Sequence, residues 1–153
     1  MILTGPEIVA QVGSGRIRIE PFSPDQVNPN SYNFRLGDEV EFYESPMLDA
    51  AKANATKRIA IPDDGLLLQP DTIYLAPTAE LIGSDHFVAL IHSRSSVARM
   101  GLFVHITADL IDIGCYDRWI LQLHVVQPLR IRRGMPIGQV TFWRTSADRD
   151  AQG

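Results

Sequence analysis

The strongest constraint on how this chain folds is its succession of short apolar runs, each too brief for a helix and each closed by glycine, proline or aspartate. They occupy residues 65–69, 72–76, 86–92, 102–107, 119–126, 129–131 and 137–143. Strand-length runs punctuated by turn residues predict an all-β protein, built as a sandwich or a barrel. Two alternating segments earlier in the chain, 31–37 and 39–43, and the polar–apolar alternation of 16–20 extend the same pattern.

One helix is expected. Thr4 and Glu7 have capping-box spacing, Pro6 suits a first turn, and Ile8, Val9 and Val12 give a short apolar face before Gly13 and Gly15. Residues 21–29, with Pro21, Pro24 and Pro29, read as a loop. Residues 44–58 are polar and rich in alanine and lysine, and read as an exposed excursion. Residues 145–153 are small and polar and read as a frayed end.

With 153 residues, 45% of them hydrophobic, the chain is expected to form a single domain over 1–153 with a packed core. A net charge of −4 argues against a broad nucleic-acid surface but leaves room for a local positive pocket. Cys115 is the only cysteine, which excludes an internal disulfide and any cysteine-rich metal site. The histidines (His86, His92, His105 and His124) lack metal-ligand spacing, and the zinc signature of many base deaminases is absent. No protein-bound metal, and no zinc, is therefore expected. The N-terminus has neither a basic start nor a long apolar run, so a cytoplasmic protein that meets neither membrane nor nucleic acid is expected, complete from Met1.

One stretch concentrates chemistry. Arg94, Ser95, Ser96 and Arg99 are followed by His105, Thr107, Asp109 and Asp112. Guanidinium groups supply forked donors that match phosphate oxygens, and serines add short neutral donors. A polyanionic ligand is one partner for such a set; ion pairs between the arginines and Asp109 or Asp112 are the other.

This stretch, Arg94-Ser95-Ser96-Val97-Ala98-Arg99-Met100-Gly101 and then His105-Ile106-Thr107-Ala108 to Asp112, resembles the central signature of the homotrimeric dCTP deaminases and their dUTPase relatives. The likeness extends through Glu20-Pro21-Phe22, Ser31 to Gly37, Leu68-Gln69-Pro70, Tyr74-Leu75-Ala76 and Arg133 to Phe142. It implies a distorted β-barrel or jelly roll of the trimeric dUTPase type. It also implies a pyrimidine nucleotide bound between subunits of a homotrimer, with Mg²⁺ carried on its phosphates. Arg94, Ser95, Ser96 and Gln139 would hold phosphates, and Arg99 would reach in from a neighbouring subunit. Thr107, Ala108, Asp112 and Tyr116 would line the base and sugar pocket, with His105 beside them; Asp112 would take the 3′-hydroxyl or orient a hydrolytic water.

The sequence departs from that family at Gln122, where the deaminases carry the glutamate that shuttles protons at the cytosine ring. A carboxamide has no comparable basicity, although it can still hydrogen-bond a pyrimidine edge. Asp109 is the one nearby candidate for a replacement carboxylate. His92 and Ser93 precede Arg94 where the family favours glycine, and residues 113–118 replace its usual turn. Residues 145–153 lack the lysine, tyrosine and glutamine of the family's C-terminal lid, so the lid is expected to be absent or very short. Three activities follow as expectations: metal-free deamination, phosphate hydrolysis through Asp112, or nucleotide binding without chemistry.

Overall fold

The computed structural model describes residues 1–147. Its order is α1 (Gly5–Gly13), β1 (Arg18–Glu20), β2 (Tyr32–Arg35), β3 (Glu39–Tyr43), β4 (Thr56–Ala60), β5 (Leu66–Leu68), β6 (Tyr74–Pro77), β7 (Leu81–Gly83), β8 (Val88–Ser93), α2 (Ser95–Ala98), β9 (Leu102–Phe103), β10 (Leu110–Ile111), β11 (Ile120–Val125), β12 (Leu129–Ile131) and β13 (Pro136–Trp143). Every strand pairing is antiparallel. The strands form a four-stranded sheet, β10-β8-β13-β2, a five-stranded sheet, β4-β3-β6-β11-β9, and two small ribbons, β1-β7 and β12-β5. The all-β expectation holds; no closed barrel forms among the described residues. No helix among them is long and apolar enough to cross a membrane.

Alternation decides which faces meet. Tyr32 and Phe34 of β2, Ala89 and Ile91 of β8, and Val140 and Phe142 of β13 are buried from one sheet. Val40, Tyr74, Ala76, Leu121, Leu123 and Val125 are buried from the other, and all belong to one core. The Glu7 carboxylate closes the α1 capping box, accepting from the Thr4 backbone N–H at 2.8 Å and the Thr4 hydroxyl at 3.1 Å. At Gly138 the register of β13 shifts, and a Cβ there would lie 2.3 Å from Phe34 Cζ and 2.8 Å from the His92 carbonyl oxygen. Only glycine lets β2, β13 and β8 close up at that point.

Besides the second short helix, α2, where one helix is expected, three segments differ from expectation. The excursion expected over 44–58 ends before Thr56, where β4 pairs with β3 and Arg58 bonds Glu41. Residues 81–83 form β7, held to β1, although their sequence carries no strand signal. The run 102–107 is a strand only at Leu102–Phe103. Beyond it the chain leaves the ladder, and Thr107 adopts a left-handed backbone with φ 59°. His105 therefore does not sit in a strand, and Thr107 and Asp109 do not share a strand face. The expected tail at 145–153 lies largely outside the described residues, and with it the question of a lid.

Candidate functional site

Two cavities hold part of the sequence-predicted set. The first, of about 460 Å³, lies where β8 runs into α2. Arg94, Ser95, Ser96 and Arg99 form one wall, with Arg94 capping the short helix. Gln139 forms the floor: it sits on β13, paired with Asn33 of β2 on one side and His92 of β8 on the other. Asn28, Asn30, Ser31 and Asn33 complete the far wall.

A hydrogen-bond network sets these side chains in place. The Ser31 hydroxyl donates to Gln139 Oε1 at 2.7 Å, and Gln139 Nε2 donates to the Ser93 carbonyl at 3.2 Å. Asn28 Nδ2 donates to Ser31 Oγ at 3.0 Å and to Asn33 Oδ1 at 2.8 Å. Arg94 makes only a long bond, 3.4 Å, to the Pro136 carbonyl, and neither Arg94 nor Arg99 has an ion-pair partner among the described residues. No carboxylate lines the cavity. Two uncompensated guanidiniums surrounded by hydroxyls and amides suit a multiply charged anion.

Sequence reasoning missed Asn28, Ser31 and Asn33. Their signal was in plain view, because in 31–34 Ser31 and Asn33 alternate with buried Tyr32 and Phe34. That pattern says one face is core and the other polar. It does not say the polar face meets Arg94, which is decided by the long-range pairing of β2 with β13.

The second cavity, of about 630 Å³, is mostly apolar. Phe103, His105, Ile106, Thr107 and His124 line it, with Asp71, Thr72 and Ile73 opposite. His105 Nδ1 is buried without a hydrogen-bond partner. Ala108 and Asp112 are exposed and do not line this cavity, and the Asp112 side chain has no partner among the described residues. Tyr116 packs instead over Gly83, where an added Cβ would come within 2.4 Å of its ring. Burial and then Asp85 push its hydroxyl above the ordinary tyrosine range. Gln122 lies on β11 and bonds the neighbouring 104–107 segment. Within one chain, none of His105, Thr107, Ala108, Asp112, Tyr116 or Gln122 lines the Arg94 cavity.

On β8, His92 Nε2 lies 2.8 Å from Thr141 Oγ1, and Thr141 Oγ1 accepts from Trp143 Nε1 at 2.9 Å. Burial pushes His92 below the usual histidine range; Asp109 opposes the shift and His105 adds to it. A depressed folded-state pKa means the unfolded chain binds more protons. The stability this contributes is fully present above about pH 6.5 and is lost as the pH falls toward the folded value. Thermal melts between pH 8 and pH 5 are expected to show a falling midpoint. His92→Gln, which cannot titrate, flattens that fall; an equally steep fall in the variant assigns the effect to other groups.

A family model described as dCTP deaminase-like matches residues 2–145. Among curated relatives, a "dCTP deaminase, dUMP-forming" of Hathewaya histolytica is 46% identical over 142 residues, 93% of this chain and 82% of that protein. A "dCTP deaminase" of Rhodopirellula baltica is 44% identical over 148 residues, 97% of this chain and 74% of that protein. Among solved structures, the 2′-deoxycytidine 5′-triphosphate deaminase of Agrobacterium tumefaciens superposes with a TM-score of 0.74 at 20% identity, over 94% of this chain. This chain spans 48% of the length of that one.

Proposed function

Because the chain belongs to the dCTP deaminase-like family, we propose that it binds a pyrimidine deoxynucleotide and processes it hydrolytically at sites shared between copies of the chain. The observation that carries this reading is the Arg94 cavity, with two unpaired guanidiniums, Ser95, Ser96 and Gln139, and no carboxylate. The phosphates lie there. Thr107, Ala108 and Asp112, with His105, meet the base and sugar.

A shared site follows from the separation of these two groups within one chain. Exposed apolar side chains support association of copies: Phe103, Ile106, Leu110, Ile113, Ile120 and Val126 all lie on or beside the segment that carries the second group. A homotrimer with Arg99 serving a neighbouring site joins the groups. The donor set also fits Mg²⁺ carried by the ligand, since amides, hydroxyls and guanidiniums leave the cation to phosphate oxygens and water.

Conversion of dCTP to dUMP, the reaction named for several relatives, needs two hydrolyses. One water replaces the C4 amine and releases ammonia. Another cleaves the bond between the α- and β-phosphates and releases diphosphate. Gln122 brings no base to the first step, which forfeits a contribution of about 10²–10⁴-fold. The second step needs a carboxylate that can orient water, and Asp112 is one without a partner among the described residues. The reading is therefore phosphate-bond hydrolysis with deamination lost.

The test incubates the protein with dCTP, CTP, dUTP and their monophosphates in the presence of Mg²⁺, and follows ammonia and phosphate release together by chromatography. Diphosphate release from a deoxynucleoside triphosphate without deamination is the expected result. Deamination would show that another group, Asp109 first, moves the proton. No turnover, with a nucleotide still raising the melting temperature, would leave a binding protein.

A further inference from the structure

Gln122 is doing something a lost base has no reason to do. Its backbone N–H donates to the Val104 carbonyl at 3.1 Å, past the point where β9 ends. Its side chain then continues the connection. The Ile106 N–H donates to Gln122 Oε1 at 3.3 Å, and Gln122 Nε2 donates to the Ile120 carbonyl at 2.6 Å. The carboxamide bridges its own strand and the segment that has just left the ladder.

That segment needs holding. Thr107 is β-branched and sits at φ 59°, a conformation such residues avoid. Two residues before it, His105 turns a buried, unpartnered Nδ1 inward. Strained backbone persists where its surroundings over-determine it. Within 104–107 the bonds to β11 are the two from Gln122, one through its backbone and one through its side chain.

We propose that Gln122 is a positioning residue, a latch that fastens the 104–107 segment to β11 and so sets His105 and Thr107 at the rim of the apolar cavity. The latch requires a carboxamide. One end must accept from an N–H and the other must donate to a C=O. A flipped amide would set donor against donor and acceptor against acceptor, so the orientation of the group is fixed as well. An ionised glutamate keeps the bond from Ile106 but faces the Ile120 carbonyl with a second acceptor and no proton. Methionine matches the size and makes neither bond.

The link from this latch to nucleotide binding rests on the function proposed above; the latch itself does not. Its test is therefore hydrogen exchange at the Ile106 amide in the ligand-free protein, with the Ile91 and Val140 amides in the β8–β13 pair as internal controls. Gln122→Met is expected to speed exchange at Ile106 about tenfold, the equivalent of about one hydrogen bond, with the controls unchanged. Gln122→Glu gives a smaller acceleration. Adding Thr107→Gly to Gln122→Glu, which keeps an acceptor for the Ile106 N–H, removes the strain the latch opposes and restores part of the protection. Should Gln122→Met not fold, Gln122→Glu and Thr107→Gly carry the comparison. Wild-type exchange at Ile106 in the variants overturns the proposal. Faster exchange with dCTP affinity lowered about tenfold supports both latch and function. Faster exchange in a protein that binds no nucleotide keeps the latch and sinks the function.

Discussion

Replacing Arg35 with leucine is expected to cost about 3–5 kcal/mol at neutral pH, and to lower the melting temperature by about 10 °C. Glu80 is the reason. Its carboxyl group is fully buried, in the turn between β6 and β7. Oε1 accepts from Arg35 Nε at 3.0 Å, and Oε2 accepts from the Arg35 backbone N–H at 2.9 Å. The same turn is tied to the start of β11, since Thr78 Oγ1 donates to the Glu80 carbonyl at 2.7 Å and accepts from the Trp119 N–H at 3.0 Å. Leucine at position 35 leaves the backbone bond but removes the one cation paired with Glu80 among the described residues. A buried carboxylate without its partner is far costlier than the pair is beneficial. The double variant Arg35→Leu with Glu80→Met removes the charge too, and should recover most of the loss. Chemical denaturation of wild type, Arg35→Leu, Glu80→Met and the double variant decides the matter. A single variant within about 1 kcal/mol of wild type would mean the carboxyl is neutral or solvated, and would sink the argument.

Neither Glu80 nor its pairing could be read from the chain, where it is one acid in a run of short strands. What was legible was local. The Thr4–Glu7 box, the alternation of β2, β11 and β13, and the Arg94-Ser95-Ser96 run each depend on residues within one element. What was not legible depends on distant pairing. β4 opens on three polar, exposed residues, Thr56, Lys57 and Arg58, lies at a sheet edge, and is a strand because β3 lies beside it and Arg58 meets Glu41. β7 is a strand because Gly83 admits the Tyr116 ring and β1 supplies a partner. The opposite error occurred at 104–107, where an apolar run reads as strand. There the Gln122 side chain takes over from the ladder and Thr107 turns left-handed. The site divides in the same way. The arginines and serines announced a phosphate wall, while its opposite wall, Asn28, Ser31 and Asn33, was assembled by the pairing of β2 with β13. A search for motifs sees residues close in sequence, and this cavity is half made of residues far apart in it.

That division makes the second large effect specific. Arg94→Ala is expected to weaken nucleoside triphosphate binding by about 10²-fold, the loss of a charge-assisted, forked contact, while the melting temperature of the free protein hardly changes. The second half follows from how little the Arg94 side chain does without a ligand: its one hydrogen bond is long, it has no ion pair among the described residues, and Arg99 on the same wall repels it. Arg94→Lys keeps the charge but loses the fork, and should recover only part of the affinity. Ser96→Ala removes a neutral donor and should cost about tenfold at most. Raising the salt concentration should weaken wild-type binding more than binding by Arg94→Ala, because the variant has one fewer charge for ions to screen. Titration calorimetry across these variants, at two salt concentrations, separates the terms. Affinity within threefold of wild type for Arg94→Ala would move the phosphates out of this cavity. A large drop in melting temperature would make Arg94 part of the scaffold rather than of the site.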